Sequence, residues 1–134
     1  MPLPFVQKFA ASPLGQQLLR FAIAGAIATA AHYSVLIALI ELGHAAPVLA
    51  TTLGYCVGIL VSYLINRRYT FKSEASFASS FPKFAAFYGV GMFLNGAIFA
   101  ALMSLGAWYL TAQIVATALV MIWNYVGARF VAFR

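Results

Sequence analysis

Four cations recur in register along this chain. Arg20 and Lys83 each precede a long apolar run, and Arg67 and Arg129 each follow one. A guanidinium offers a planar fork of N–H donors that pairs bidentately with phosphate oxygens. Cations fixed at the edges of apolar runs therefore suit a phosphate or an anionic headgroup at a membrane surface. Together the four would form a basic ring at one mouth of a helix bundle, where a locally low dielectric strengthens their pull on an anion. Arg68 adjoins Arg67 about 100° further round a helix, so the two cannot face one groove. Arg67 is expected inward, because its counterpart in the second half of the chain is Arg129, whereas Arg68 aligns with Phe130. The plainer role open to each of these cations is to set topology against bulk lipid headgroups.

Deeper in the runs lie His32 and Asn95. Each falls 12 residues beyond its basic marker (32 − 20, 95 − 83), about 18 Å along a helix and so near the middle of a bilayer. Polar side chains at that depth are costly and face a bundle interior or a wet cavity. They either line the route of a polar solute or join helices by hydrogen bonds. Thr29, Thr51, Thr52, Ser62, Gln113, Thr117 and Asn124 add scattered hydrogen-bonding groups. Gly54 and Gly58, spaced as GxxxG, let a neighbouring helix approach, and Gly89, Gly91 and Gly96 offer the same in the third run, with packing as the default role.

Other chemistries find no constellation. There is no HExxH, no phosphate-loop glycine pattern and no pair of carboxylates within reach, and His32 has no acidic partner at helical spacing, so no catalytic activity, metal or cofactor is expected. Glu41, at the outer end of the first run beside His44, reads as a solvated rim residue; a proton-coupled carrier wants a deeper carboxylate. Cys56 is the only cysteine and can form no disulfide within the chain. The net charge of +6 is split over three segments flanking apolar runs, which suits lipid headgroups and argues against nucleic acid as a partner.

The elements that must position these residues are set by hydropathy. A hydrophobic fraction of 64%, 7% charged residues and a mean hydropathy of +0.94 leave too little polar surface for a water-soluble domain of 134 residues. Four segments reach the roughly 20 apolar residues that a membrane-crossing helix needs: 21–42, 48–65, 84–105 and 111–127. The expectation is an all-α membrane protein, a single domain over 1–134, with four spans in two antiparallel hairpins. The first run is too long for a signal-peptide core of roughly 7–15 residues, so it is expected to be retained. Ser12-Pro13 reads as an N-cap with proline at the first helical position. Gly43 with Pro47, and then Gly106, mark short turns without Lys or Arg, whereas every basic residue lies before the first span, in the 66–83 connection or at the C-terminus. Lys/Arg-rich short loops stay in the cytoplasm, so both termini are expected inside. The 66–83 connection, with Phe71, Phe77 and Phe81, is expected to lie as a loop on the membrane surface.

The halves match. A shift of 63 lays Arg20-Phe21-Ala22 on Lys83-Phe84-Ala85, and a shift of 62 lays Ser62-Tyr63 and Arg67 on Asn124-Tyr125 and Arg129, and Phe71-Lys72 on Phe133-Arg134. Both halves enter from one side, which makes them parallel repeats. Arg20-Phe21 with Gly25 and Thr29, the run Asn66-Arg67-Arg68-Tyr69-Thr70-Phe71, and Asn124-Tyr125 with Arg129-Phe130 and Phe133 resemble the GtrA-like family of small four-span proteins, over nearly the whole chain. The resemblance implies movement of a polyprenyl-phosphate-linked sugar across the cytoplasmic membrane for cell-surface polysaccharide or glycan modification, beside a polyprenyl-phosphate glycosyltransferase. On that reading Arg20, Asn66, Arg67, Arg68, Lys83 and Arg129 meet the phosphate, and Thr29, His32, Asn95 and Asn124 line the path. Four short spans enclose little volume, so a homodimer would widen the path. The alternative is a non-transporting adaptor that anchors the glycosyltransferase, with 69–82 and Arg134 as docking surface. A small cation or drug exporter fits less well, for want of a deep carboxylate.

Overall fold

Two of the four long helices start at a serine cap. In the computed structural model, which describes residues 2–132, a short helix α1 (Pro2–Ala11) ends at Ser12 and α2 (Pro13–Glu41) begins at once. The Ser12 hydroxyl accepts the Gly15 N–H at 3.0 Å and Pro13 supplies a helical φ without needing a donor. Gly15 is required there, since a Cβ would lie 1.8 Å from the Phe9 carbonyl oxygen where α1 folds back on α2. The sequence reading did not foresee α1.

The remaining elements are α3 (Pro47–Ile65), α4 (Phe77–Ser104) and α5 (Tyr109–Gly127). Both α3 and α5 run on without a break into a π-helical turn, Asn66–Thr70 and Ala128–Ala132. Four helices are thus long and apolar enough to cross a membrane, Pro13–Glu41, Pro47–Thr70, Phe77–Ser104 and Tyr109–Val131, so the chain is a multi-pass membrane protein. Between α3's π turn and α4 only 71–76 is non-helical, shorter than the 66–83 loop expected. The polar Asn-Arg-Arg run remains helical because the Phe71 N–H reaches back to the Asn66 carbonyl at 2.9 Å. Pro82 also sits inside α4. It has no N–H to donate to the preceding turn, while Ser76 caps the helix by accepting the Ser79 N–H at 3.1 Å.

The halves repeat in the order and bounds of their helices. Adding 62 to the bounds of α3 and its π turn returns those of α5 and its π turn, and the last residues of α2 and α4 are 63 apart (104 − 41). The shift falls by one because the first turn, 42–46, is one residue longer than the second, 105–108. In the second turn Gly106 takes the left-handed conformation at φ 94°; in the first, His44 does so at φ 50°, rather than Gly43. Phe133 and Arg134, which close the second repeat in sequence, lie outside the described residues.

α2 packs chiefly on α3, and α4 on α5, with α3 against α4 between the pairs. Gly54 lies against His32 and Gly58 against Ala28, an antiparallel order. Gly91 similarly admits Asn124, Tyr55 and Val120, whereas Gly89 and Gly96 face open space and bring no helix close. α2 and α5 form no packed pair, and long side chains bridge them instead: Tyr33 to Thr117 at 2.8 Å near the two turns, and Tyr125 to Gln17 at 3.1 Å near the termini. The outside is apolar, with Ile23, Ile27, Leu60, Leu64, Phe93 and Ile122 exposed, while His32, Thr51, Ser62, Asn66, Asn95 and Gln113 are buried. That inversion is what lipid as solvent selects.

Candidate functional site

One face of α3 supplies the polar interior. Thr51, Tyr55, Ser62, Asn66 and Thr70 fall three or four residues, or two turns, apart and are all buried. Each meets a partner or a space formed by the other helices.

Nearest the turns, four positions converge. The Thr51 hydroxyl donates to Gln113 Oε1 and accepts from Asn95 Nδ2 at 3.2 Å. His32 Nε2 lies 3.0 Å from the same oxygen, so with the hydroxyl proton already given to Gln113, His32 must carry its own proton on Nε2. Gln113 Nε2 donates to Asn95 Oδ1 at 2.8 Å and to Thr117 Oγ1 at 3.1 Å. His32 and Asn95 are counterparts at a shift of 63, and Thr51 and Gln113 at 62. Each half therefore contributes one residue of each pair to the network. The sequence reading singled out His32 and Asn95 but left Thr51 and Gln113 among scattered polar residues. The shift of 62 would have paired them.

Below this knot the interior opens. A cleft of about 80 Å³ lies between α2, α3 and α5, lined by Thr29 and His32, by Tyr55 and Ser62, and by Thr117 and Asn124. Asn124 Nδ2 donates to the Tyr55 hydroxyl at 2.7 Å, but its buried Oδ1 has no donor among the described residues. Ser62 donates to the Tyr88 hydroxyl at 3.4 Å and accepts from Asn66 Nδ2 at 2.9 Å, leaving Asn66 Oδ1 and Thr70 Oγ1 likewise without partners among those residues. Of the residues expected on a path, Thr29, His32 and Asn124 line the cleft, and Asn95 sits in the knot above it.

The cations gather at the end of the bundle that holds the termini, in different settings. Arg20 stacks over the Tyr69 ring, 5.4 Å from its centroid. Arg129 Nη1 donates to the Tyr125 hydroxyl at 2.9 Å, and Tyr125 packs edge-on against Phe21 with ring centroids 4.9 Å apart. Arg20 and Arg129 thus flank one aromatic cluster made by Phe21, Phe71 and Tyr125. Arg67 turns the other way: its Nε and Nη2 both donate to the Ala75 carbonyl, at 3.2 and 2.7 Å, and clasp the 71–76 connection. Arg68 and Lys83 are exposed. Among the described residues no group of three or more His, Cys, Asp or Glu is placed to hold a metal.

The inward polar stripe, the doubled Tyr-x-x-x-Arg helix ends and the paired halves together make a recognisable unit. A family model for the GtrA/DPMS transmembrane domain matches residues 20–133, from Arg20 through the second repeat, and the chain belongs to that family.

Proposed function

We propose that this protein moves a polyprenyl-phosphate-linked sugar across the cytoplasmic membrane, with both termini on the cytoplasmic side. The observation that carries the reading is the cleft between α2, α3 and α5, where Thr29, His32, Ser62, Thr117 and Asn124 bring hydrogen-bonding groups to an unfilled, otherwise apolar space, since a bundle meant only to sit in lipid has no use for such groups there. The cations at the terminal end, led by Arg20 and Arg129 and joined by Arg67, Arg68 and Lys83, would receive the phosphate from the cytoplasmic leaflet, with the neutral Asn66 beside them. Thr29, His32, Asn95 and Asn124 would then meet sugar hydroxyls in transit.

The cleft has room for roughly five waters, which is small for a sugar, so passage needs a wider arrangement, such as two copies side by side. The test is translocation of a polyprenyl-phosphate sugar in proteoliposomes. The His32→Leu/Asn95→Leu double variant should remain inserted, since leucine is favourable at that depth, but translocate far more slowly than wild type. Wild-type rates would remove both residues from the route.

The adaptor reading draws on a different observation, the self-satisfied knot around Thr51, which needs no ligand to complete it. In that case the protein would retain a membrane glycosyltransferase on co-purification and show no translocation by itself.

A further inference from the structure

The seam between α2 and α5 is the least closed line in the bundle. Tyr33–Thr117 ties it near the turns and Gln17–Tyr125 near the termini. Between the ties its inner side is the polar cleft. Its outer side, nearer the termini, is an apolar groove of about 230 Å³ lined by Leu18, Ala22, Ile122 and Tyr125 together with Phe21 and Met121. Phe21 and Met121 line the cleft as well, so these two side chains form the wall between groove and cleft.

We infer that this seam is a lateral lipid site, in which one isoprenoid chain lies in the outer groove while the hydroxyl-bearing headgroup it carries enters the cleft sideways past Phe21 and Met121. The inference rests on the lipid-linked-sugar reading and adds where the lipid sits. Its chemistry comes from both faces. Asn124 lines the cleft, and its Oδ1, buried against Gly91, has no donor among the described residues; a sugar hydroxyl that reaches it supplies one where a phosphodiester cannot. Thr29 and Thr117 add hydroxyls that donate or accept. Arg129, held on the groove's own Tyr125, and Arg20, next to Phe21, stand at the terminal end of the seam for the phosphate. The seam is a single slot between two helices, which favours one chain over the two of a diacyl phospholipid.

The site can be read by photolabelling wild-type protein in proteoliposomes with benzophenone-tagged farnesyl phosphate, with and without an attached glucose, and mapping the adducts by mass spectrometry. Adducts are expected on residues 18–22 and 121–125, competed by unlabelled farnesyl-phosphate glucose and not by phosphatidylglycerol. Ala22 and Ile122 are exposed in the structure, so Ala22→Trp with Ile122→Trp fills the groove without touching the core. That variant should lose about tenfold of the labelling at an unchanged melting temperature. Asn124→Leu should retain chain labelling but lose the advantage of the glucose-bearing probe over farnesyl phosphate. Adducts spread over all four spans, equal competition by phosphatidylglycerol, or a second copy cross-linked along α2 and α5 would each overturn the inference. Translocation is measured on the same vesicles. Active transport with adducts elsewhere rejects the seam and leaves the transport reading standing, whereas seam labelling without transport upholds the lipid site and rejects transport.

Discussion

Thr51 holds more of this structure than any residue of its size, because one hydroxyl serves three partners. Thr51→Val keeps the shape and removes that hydroxyl, leaving the His32 and Asn95 donors and the Gln113 acceptor short of a partner. Each buried group so stranded costs about 1–3 kcal/mol, so a clear fall in melting temperature in detergent is expected. Thr52→Val is the matched control, since among the described residues the Thr52 hydroxyl bonds only the Val48 carbonyl of its own helix, at 2.7 Å, and its loss should shift melting little. The glycines divide in the same way. A Cβ at Gly54 would stand 2.6 Å from both the His32 ring and the His32 carbonyl oxygen, so Gly54→Ala should push α2 off α3 at a cost of about 1–3 kcal/mol. At Gly96 nothing lies within 4 Å, and Gly96→Ala should be neutral or slightly stabilising in the same melting assay. The sequence marked Gly54 and Gly96 alike, because spacing reports which residues share a face and not what faces them.

At the scale of elements, the connection between the halves is held from both sides. Ser76 caps α4, and Arg67 clasps the Ala75 carbonyl just before it. Ser76→Ala should cost about 0.5–2 kcal/mol and speed amide exchange over 77–81, where Ser80 also anchors Tyr63 through a 2.7 Å hydrogen bond. Arg67→Ala should do more harm than Arg68→Ala, as the paired repeat first suggested. The structure adds a reason, since Arg68 is exposed while Arg67 is tied to the connection. Arg67→Lys separates the two roles open to this residue. If exchange over 71–76 rises while headgroup binding persists, the fork serves the connection and the charge serves the ligand. If neither changes, the clasp contributes nothing. Lipid dictates that crossing segments be helical, so the four spans were readable from hydropathy. The extent of the connection was not readable, because a polar run at a helix end suits a loop and a continuing helix equally.

For the whole molecule, the distribution of cations predicts a single orientation. In a Cys56→Ala background, Ala46→Cys should react with a membrane-impermeant maleimide on intact cells, and Glu74→Cys only after permeabilisation. The reverse pattern would invert the protein and with it the direction from which a phosphate meets Arg20 and Arg129. The twofold likeness of the halves also makes a demand on any mechanism. The knot takes one member of each related pair from each half, so a movement that separates the halves must break the bonds of Thr51 to Gln113 and Asn95, while His32 stays with Thr51 on the first half.

The sequence by itself determined the four spans, though not α1, and it marked the internal repeat and the end at which the cations gather, because each of these follows from local composition read against a bilayer. It also marked His32, Asn95, Thr29 and Asn124 as residues that must find something polar. Only the tertiary structure decided what they find. The lipid-facing and buried faces of these helices are both apolar, so hydropathy cannot fix how far each helix is turned about its axis. That rotation brings Thr51 and Gln113 to His32 and Asn95, turns Arg67 to a carbonyl instead of a ring of cations, and leaves α2 and α5 apart with a polar cleft between them.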